Sequence, residues 1–400
     1  MKIAIIGGGP SGLFLAILLK QRLAEADVRI FEQNRQDATF GFGVVLADTG
    51  LTRLHAAAPA VCDDLMQAMV FTGCQTIVMR ETPIVVHRPG KGGGAIPRIR
   101  LLQILQAHAR RLGVDVTHNH RITDIAAIEA DIVVGADGVN SQLRAADEAG
   151  FGTTTRLLTN HFAWFGVGKA FANPALVFRE YRGGYFVAHY YPYSADMSTF
   201  VAECDHATWQ EFGMDGMSAD ARRELFEAVF APELGGCPLV SNNSAWRQFP
   251  VIRSRNWYVG NRVLIGDALA SAHFSIGSGT RIAMEDSVAL ADAIVAQARD
   301  VPAALAAYVQ TRKPQKAKLI NASEASYNWY ERIREWMQAC TPHEFVYRFM
   351  TRTGRIDLAR LRKQFPQLVQ EFEAAGALQG VAQDGAAHEA AAARAGAEQP

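Results

Sequence analysis

Lys2-Ile-Ala-Ile-Ile-Gly-Gly-Gly-Pro-Ser-Gly12 is the stretch that decides the fold. A short apolar run, typical of a buried parallel strand, leads directly into the pattern Gly-x-Gly-x-x-Gly. Leucine and alanine then recur at helical spacing, and a second strand pattern at residues 28–31 ends in Glu32. Strand, glycine turn, helix, strand and acid in this order predict a dinucleotide-binding βαβ unit.

Each part of this unit has a physical role. Gly7 allows the tight turn after the strand, and Gly9 lets the backbone approach a pyrophosphate. Gly12 allows the helix and the strand to pack closely. Glu32 is placed to accept hydrogen bonds from an adenosine ribose. An acid at this position with no arginine beside it favours an unphosphorylated ribose, and so FAD or NAD rather than NADP.

A second stretch, residues 262–280, repeats this logic. An apolar strand pattern ends at Gly266-Asp267, a loop with Gly277 and Gly279 follows, and a helical pattern comes next. Such a unit places a carboxylate and several free backbone N–H groups around one point, where the helix N-terminus adds partial positive charge. Asp267 is therefore a candidate acceptor for hydrogen bonds from a ribityl chain, while the N–H groups face a pyrophosphate or the flavin edge.

A third stretch, residues 130–144, is another strand pattern that ends in the turn Asp137-Gly. It resembles the Asp-Gly motif of flavoprotein aromatic hydroxylases of the para-hydroxybenzoate hydroxylase type. The two stretches above resemble the other FAD motifs of that superfamily, in the same order. The resemblance covers roughly residues 1–370 and implies FAD rather than NAD. A closer resemblance, to the subgroup of salicylyl-CoA 5-hydroxylase and anthraniloyl-CoA monooxygenase with the violacein-pathway tryptophan hydroxylase as a neighbour, is carried by segments 40–46, 198–203, 272–279 and 351–356.

Membership in this superfamily implies both a fold and a chemistry. The fold is α/β, with a Rossmann-like FAD-binding domain interleaved with a mixed β-sheet substrate domain and followed by a helical C-terminal segment. NAD(P)H binds transiently and reduces the tightly bound FAD, O₂ is the co-substrate, and a flavin C4a-hydroperoxide hydroxylates an activated aromatic ring. An arginine at position 98, three before a leucine, reaches the FAD in the family; a solvated arginine at a helix start is the alternative. The predicted cofactor-binding residues are Gly7, Gly9, Pro10, Ser11, Gly12, Glu32, Gly43, Val44, Arg98, Asp137, Asp267, Gly277, Ser278 and Gly279.

Candidates for catalysis and substrate binding lie between and beside these motifs. A general base that deprotonates a phenol or aniline raises the reactivity of its ring, and His189, Tyr191 and His273 are the candidates. Each has a structural alternative: a satisfied sheet histidine, a packed tyrosine before a proline, and a hydrogen-bonded loop histidine. Trp164 and Phe274 are the predicted substrate contacts. Where the wider superfamily has Gly-Asp-Ala-Ala-His and a proline pair, this chain has Ala270 and then His273-Phe274.

The chain alternates between two predicted bodies. The FAD-binding domain takes residues 1–70, 95–150 and 257–325, and the substrate-binding sheet domain takes residues 71–94 and 151–256. C-terminal helices occupy residues 326–373, where an aromatic stripe at helical spacing favours core packing over a cofactor contact. The alanine- and glycine-rich residues 374–400 are expected to be disordered.

Composition excludes several classes of protein. The 400 residues carry no net charge and no basic block, which argues against a nucleic-acid partner. No signal peptide or membrane span is visible in the sequence. The five cysteines are scattered without Cys-x-x-Cys spacing, which predicts reduced thiols in a cytoplasmic protein and no zinc site. A monomer and a dimer are equally compatible with the sequence.

Three functions stay open at this point. The first is hydroxylation of an aromatic ring, held either as an aryl-CoA thioester or as a free indole or phenol. Basic residues between positions 348 and 363 form either a solvated face or a site for CoA phosphates. The second is a flavoprotein that halogenates or reduces, although the halogenase segment Trp-x-Trp-x-Ile-Pro is not found. The third is a flavin-dependent binding protein without catalysis.

Overall fold

A computed structural model describes residues 1–39, 41–46, 48–87, 93–242, 245–297 and 300–379. Its strands are β1 (Lys2–Ile6), β2 (Asp27–Phe31), β3 (Gly43–Leu46), β4 (Val70–Phe71), β5 (Cys74–Met79), β6 (Thr82–His87), β7 (Gly94–Pro97), β8 (Asp115–Thr117), β9 (Ile132–Gly135), β10 (Thr153–Val167), β11 (Ala175–Tyr181), β12 (Gly184–Pro192), β13 (Ser198–Cys204), β14 (Leu239–Val240), β15 (Arg247–Ser254), β16 (Tyr258–Val259) and β17 (Arg262–Leu264).

Its α-helices are α1 (Pro10–Arg22), α2 (Asp48–Ala57), α3 (Pro59–Gln67), α4 (Arg98–Arg111), α5 (Gln142–Ala145), α6 (Glu148–Phe151), α7 (His206–Glu211), α8 (Ala219–Val229), α9 (Ala231–Leu234), α10 (Gly266–Leu269), α11 (Gly279–Gln297), α12 (Val301–Tyr330), α13 (Ile333–Ala339), α14 (Pro342–Thr351), α15 (Leu358–Gln364) and α16 (Pro366–Ala374). None of these helices is long and apolar enough to cross a membrane.

The first sheet is centred on β1 and has the strand order β16-β17-β9-β1-β2-β8. Strands β2 and β9 flank β1 in parallel, and β17 pairs with β9 in parallel. Strand β9 is buried along its whole length, as is expected for a parallel strand covered on both faces. The carboxyl ends of β1, β2, β9 and β17 therefore meet at one edge of this sheet, where doubly wound folds bind their ligands.

The second sheet has the order β14-β10-β13-β12-β11-β5-β6, with β15 also pairing with β10. Strands β5 and β6, within residues 71–94, join this sheet through the pairing of β5 with β11. Strand β10 is fifteen residues long. The bounds of the two predicted domains remain a prediction.

Paired residues of antiparallel strands point to the same face, which gives this sheet two distinct sides. One face carries Phe165, Phe186 and Phe200, which form a core with Trp209 and Phe226 of helices α7 and α8. The opposite face carries Phe162, Trp164, His189 and Glu203 in neighbouring rows of strands β10, β12 and β13. This second face is the one turned toward the loop after α10 and the C-terminal helices, as its ring contacts with Phe274 and Tyr330 demonstrate.

A third sheet that the sequence did not predict, β3-β7-β4, joins the two bodies. The amide of Gly43 in β3 donates a hydrogen bond to Oγ1 of Thr199 in β13 (2.8 Å). A Cβ atom on Gly166 of β10 would lie 2.5 Å from the ring of Phe42, which explains the glycine there. The segment before and within β3 therefore lies directly on the second sheet.

A long helix leads into the segment where the C-terminal helices are predicted. Helix α12 starts at Val301, runs through Pro314 and ends at Tyr330, and α13 begins at Ile333. Trp329, Tyr330 and Ile333 pack in one core with Phe178 and Val187 of the second sheet, which confirms that the aromatic stripe is a packing surface. Of the tail predicted to be disordered, residues 380–400 lie outside the described residues.

Candidate active site

The turn between β1 and α1 is as tight as the sequence predicts. Gly7 has a φ of 109°, and a Cβ atom on it would lie 2.5 Å from the carbonyl oxygen of Ala136. A Cβ atom on Gly12 would lie 2.1 Å from the carbonyl oxygen of Gly7. The glycines therefore bring the start of α1 directly against the ends of β1 and β9.

The same turn has a side that is open. A Cβ atom on Gly9 would meet no atom within 4 Å. Gly9 is the N-cap of α1 and provides no side-chain acceptor, and Pro10 and Ser11 follow it in the first helical turn. The free N–H groups of this turn and the helix dipole favour a phosphate in the open space.

Asp137 supplies a second unfilled feature at this edge of the sheet. Its Oδ2 accepts a hydrogen bond from the amide of Gln142 (2.6 Å), whereas Oδ1 is buried and has no hydrogen-bond partner among the described residues. Desolvation raises the pKa of this carboxyl group. A buried carboxylate oxygen without a partner carries a free-energy cost that a ligand donor, such as a ribose or ribityl hydroxyl, would relieve.

Asp267 and Arg98 are the third feature, since they lie close enough for their charges to interact. Burial raises the pKa of Asp267, while the charges of Lys316 and Arg98 oppose that rise. Desolvation also lowers the pKa of Arg98, with Asp267 and Tyr191 acting against it. Both residues are half-buried. The open glycine turn and the two acids fit FAD.

A buried ion network holds the turn that carries Asp267. Asp286 of α11 accepts hydrogen bonds from the amide of Gly266 (2.9 Å) and from Nε of Arg312 (2.8 Å). Lys316 pairs with Asp286 and donates to the carbonyl oxygen of Gly266 (3.2 Å). Because Gly266 has a φ of 60°, its left-handed turn needs this support. Sequence reasoning missed the network, since its members are twenty to fifty residues apart.

Glu32 braces the glycine turn. Its Oε2 accepts a hydrogen bond from the amide of Gly8 (2.7 Å), and its Oε1 accepts from the amide and the side chain of Asn34. The residue is only half-buried, so one edge stays accessible at the end of β2. Contact between Glu32 and an adenosine ribose stays a prediction.

The remaining predicted cofactor residues lie on two segments. Val44 of β3 pairs with Ile96 of β7, and the amide of Arg98 donates to the carbonyl of Phe42 (2.7 Å), so Gly43, Val44 and Arg98 belong to one small sheet and its exit. On the other segment, Gly277 has a φ of 56°, Ser278 Oγ donates to the carbonyl of Ile276 (3.0 Å), and Gly279 begins α11.

An aromatic cluster forms on the second sheet beside the loop after α10. Phe274 has its ring centre 4.8 Å from that of Phe162, 5.6 Å from that of Trp164 and 5.5 Å from that of His189. Phe249 of β15 lies 6.3 Å from Phe274 on another side. The predicted substrate contacts Trp164 and Phe274 are thus brought together, together with the candidate base His189.

His189 is part of a buried polar chain. Its Nε2 lies 3.0 Å from Oε2 of Glu203, and Oε1 of Glu203 accepts a hydrogen bond from Nδ2 of Asn160 (3.0 Å). The same Nδ2 donates to the carbonyl of Tyr330, whose ring stacks on His189 at 5.4 Å. Glu203 is only 1% exposed, so its charge depends on these donors. The sequence contained a signal for it, an acid inside an otherwise apolar strand.

His273 is placed beside this cluster but held in a different way. Its amide donates to Oγ of Ser323 (2.8 Å), and Nδ1 lies 2.8 Å from Oγ of Ser275. Arg352 of the C-terminal region fixes the same loop through the carbonyl of Ser275 (2.9 Å) and Oγ of Ser326 (2.9 Å). Burial lowers the pKa of His273 to about 3, so its imidazole is neutral at physiological pH.

Tyr191 lies at the junction of the second and third sheets. Its hydroxyl donates a hydrogen bond to the carbonyl of Gly43 (2.9 Å). Burial raises the pKa of this phenol to about 12, so it stays protonated at neutral pH. In this geometry Tyr191 fixes β3, and with it the predicted cofactor residues Gly43 and Val44.

The chain has relatives that are named as hydroxylases or monooxygenases. It is 38% identical to salicyloyl-CoA 5-hydroxylase of a Streptomyces species over 88% of this chain and 70% of that protein. It is 34% identical to 3-hydroxy-4-methyl-anthranilyl-[aryl-carrier protein] 5-monooxygenase of Streptosporangium sibiricum, over 83% and 90% of the two chains. Protodeoxyviolaceinate monooxygenase of Chromobacterium violaceum is 32% identical over 88% and 94%.

A solved structure supports the fold alone. The 2-methyl-3-hydroxypyridine-5-carboxylic acid oxygenase superimposes with a TM-score of 0.70 at 21% identity, over 90% of this chain and 97% of that one. Fold, site and relatives together define an FAD-dependent monooxygenase of the aromatic hydroxylase class. More particularly, the chain belongs to the FAD binding domain family, which matches residues 1–323.

Proposed function

We propose that this enzyme hydroxylates the ring of an aromatic acyl thioester of the salicyl, benzoyl or anthraniloyl type and consumes NAD(P)H. The observation that carries the proposal is the aromatic cluster around Phe274, which has the His189–Glu203 pair in its wall. Two relatives at 38% and 34% identity are named for aryl groups linked to CoA or to a carrier protein, which supports the thioester. A cytoplasmic location stays a prediction from the scattered cysteines.

The protein groups divide into those that bind the cofactor and those that handle the substrate. The N-terminus of α1, Asp137, Asp267 and Arg98 would hold FAD, which when reduced supplies an electrophilic oxygen atom from O₂. Phe162, Trp164 and Phe274 would exclude water and orient the ring; holding two reactants in position contributes roughly 7–11 kcal/mol in favourable cases.

His189 is the proposed base. Because Glu203 is a carboxylate acceptor at 3.0 Å from Nε2, it favours the tautomer with the proton on Nε2. Nδ1 then carries the free lone pair and would accept the proton from a ring hydroxyl or amine as the ring is attacked. The other two candidates are neutral and held in hydrogen bonds. His273 bonds to Ser275, so we assign it to positioning Phe274. Tyr191 donates to the carbonyl of Gly43, so we assign it to positioning β3.

The basic residues between positions 348 and 363 divide in the structure. Arg352 is engaged inside by Ser275 and Ser326, and Arg362 pairs with Glu373. Arg355 and Lys363 are exposed. A role for these exposed cations as a site for CoA phosphates remains a proposal.

A free indole or phenol is the second candidate substrate, and the relative named for protodeoxyviolaceinate supports it. The deciding experiment is a substrate panel with the FAD-loaded enzyme, in which NADH and NADPH oxidation is followed together with hydroxylated product. We expect salicyloyl-, benzoyl- or anthraniloyl-CoA to accelerate oxidation and give product. If only the free acids or tryptophan do so, the thioester proposal fails; if no NAD(P)H oxidation occurs with any of them, hydroxylation itself fails.

A further inference from the structure

Arg247 is a cation at the rim of the aromatic cluster. Strand β15 pairs with β10 so that Arg247 lies opposite Phe162, which places both side chains on the face that also carries Trp164 and Glu203. Its Cζ is 5.6 Å from the ring centre of Phe162 and 5.2 Å from that of Trp164. The guanidinium therefore stacks on two of the three rings that surround the predicted substrate position.

This guanidinium has no acid to neutralise it among the described residues. Desolvation alone lowers its pKa, with no opposing carboxylate, while the residue remains open to solvent. Glu203 lies in the same row of the sheet, but its carboxylate already contacts His189 and Asn160. Phe162 of β10 lies between Glu203 of β13 and Arg247 of β15 in that row. A partly desolvated arginine with its donors free has room for planar, bidentate acceptors such as acyl oxygens.

Distance limits what Arg247 can reach. The ring centre of Phe162 lies 5.6 Å from Cζ of Arg247 and 4.8 Å from the ring centre of Phe274. The distance from the guanidinium to Phe274 therefore cannot exceed the sum of these two distances. A phosphate at the far end of an extended pantetheine arm lies farther from the ring than this. The acyl oxygen is bonded to the carbon that is attached to the aromatic ring, so it lies within this distance of the ring.

The geometry points to Arg247 as the residue that binds the acyl oxygen of the substrate, the carbonyl of an aryl thioester or the carboxylate of a free aromatic acid. The assignment rests on the proposed function for the choice of the thioester. It makes Arg247 a determinant of specificity, because rings without an acyl group offer the guanidinium no acceptor. Because the arginine, Phe274 and His189 contact one cluster, the acyl oxygen and the proton-accepting histidine would fix the ring at two points.

The test compares ligand binding with the FAD-loaded enzyme, read from the change in flavin absorbance on titration with salicyloyl-CoA, salicylate or phenol. The variant Arg247→Met keeps the aliphatic contact with the rings and removes the charge. We expect it to weaken binding of salicyloyl-CoA roughly 10- to 100-fold, as loss of a charged hydrogen bond does, and to leave phenol within about twofold. Phenol weakened as much as salicyloyl-CoA, or no change in either, would overturn the assignment.

Arg156→Met is the matched control. Arg156 also stacks on a ring, at 5.3 Å from Tyr327, but its guanidinium is already paired with Glu324. We expect this variant to bind all three probes as the wild type does. If the wild type binds salicylate through Arg247 but does not bind the thioester, the proposed function fails and the role of Arg247 stands. If Arg247→Met hydroxylates thioesters as well as the wild type does, the role of Arg247 fails and the proposed function stands.

Discussion

The imidazole of His189 lies 3.0 Å from the carboxylate of Glu203, and both side chains are buried between the second sheet and Tyr330. The two residues lie on the neighbouring strands β12 and β13, fourteen positions apart in the chain. A carboxylate in such a place has to be paired, and its partner is a histidine whose ring centre lies 5.5 Å from that of Phe274.

Replacing His189 by alanine is expected to keep FAD bound and to lower the coupling of NAD(P)H use to product, because the proton acceptor is lost. The rate of product formation should fall roughly 100-fold. Peroxide release and product are measured together in the same reaction. Glu203→Gln should lower coupling less and shift its pH profile, since the imidazole remains but loses its carboxylate. Asp64→Asn, which alters another His–Asp pair far from the site, is the control. Unchanged coupling in His189→Ala would reduce His189 to a packing residue.

Asp267→Ala is expected to lose FAD. The carboxylate lies just after the end of β17, where the charges of Lys316 and Arg98 act on it. Flavin content per protein after purification, read from absorbance, is the measurement. The exposed Asp292 of α11 gives the matched control Asp292→Ala, which should retain flavin. Full flavin occupancy in Asp267→Ala would mean that the cofactor site has been misplaced.

Two glycines of the first turn should respond in opposite ways to alanine. In Gly12→Ala the new methyl group meets the carbonyl oxygen of Gly7 at 2.1 Å, so the free energy of unfolding should fall by about 3 kcal/mol. In Gly9→Ala the methyl group enters open space at a φ of −75°, which costs little stability.

Gly9→Ala should nevertheless weaken FAD binding at least about tenfold, because a phosphate would approach the backbone there. Urea unfolding and flavin fluorescence separate the two effects. Equal loss of stability in both variants would contradict the assignment of the open side to the cofactor.

Burial of His273 predicts a dependence of stability on pH. The pKa of the folded imidazole is lowered to about 3, whereas the unfolded one titrates near its usual value of about 6.5. The unfolded chain therefore binds a proton that the folded chain excludes, so the contribution is complete above 6.5 and is lost as the pH falls toward 3. Between pH 7 and pH 5 it amounts to about 2 kcal/mol.

Denaturation of the FAD-loaded enzyme at both pH values checks this. His273→Gln should have a smaller loss of stability on acidification than the wild type. His55→Gln, a change at a histidine whose side chain is 43% exposed, should follow the wild type. Parallel pH dependence in the wild type and His273→Gln would contradict the prediction.

The cofactor half of the site could be predicted because its signals are local. Gly7, Gly9 and Gly12 are set by a turn of six residues, and Asp137 and Asp267 each follow directly on an apolar strand. In each case the chain specifies strand, turn and acid within a short stretch, and the parallel sheet then aligns the strand ends.

The substrate half could be predicted only in part. Trp164 and His189 stood out as aromatic and basic residues on strands, but Arg247 did not, because its meaning depends on the pairing of β15 with β10. That pairing contains a register shift between Leu157 and His161, and a shift of one residue would turn Arg247 to the opposite face. No periodicity in the sequence announces such a shift. The support of Gly266 by Asp286 and Lys316 was missed for the same reason of sequence distance.

Arg352 lies beyond residue 323, where the match to the family ends, yet it holds the carbonyl of Ser275 beside His273. The C-terminal helices thus help to fix the loop that carries Phe274. Substitutions in this terminal region can therefore change the position of Phe274 without altering the turns that follow β1 and β9. New substrate preferences can arise in this way from the end of the chain.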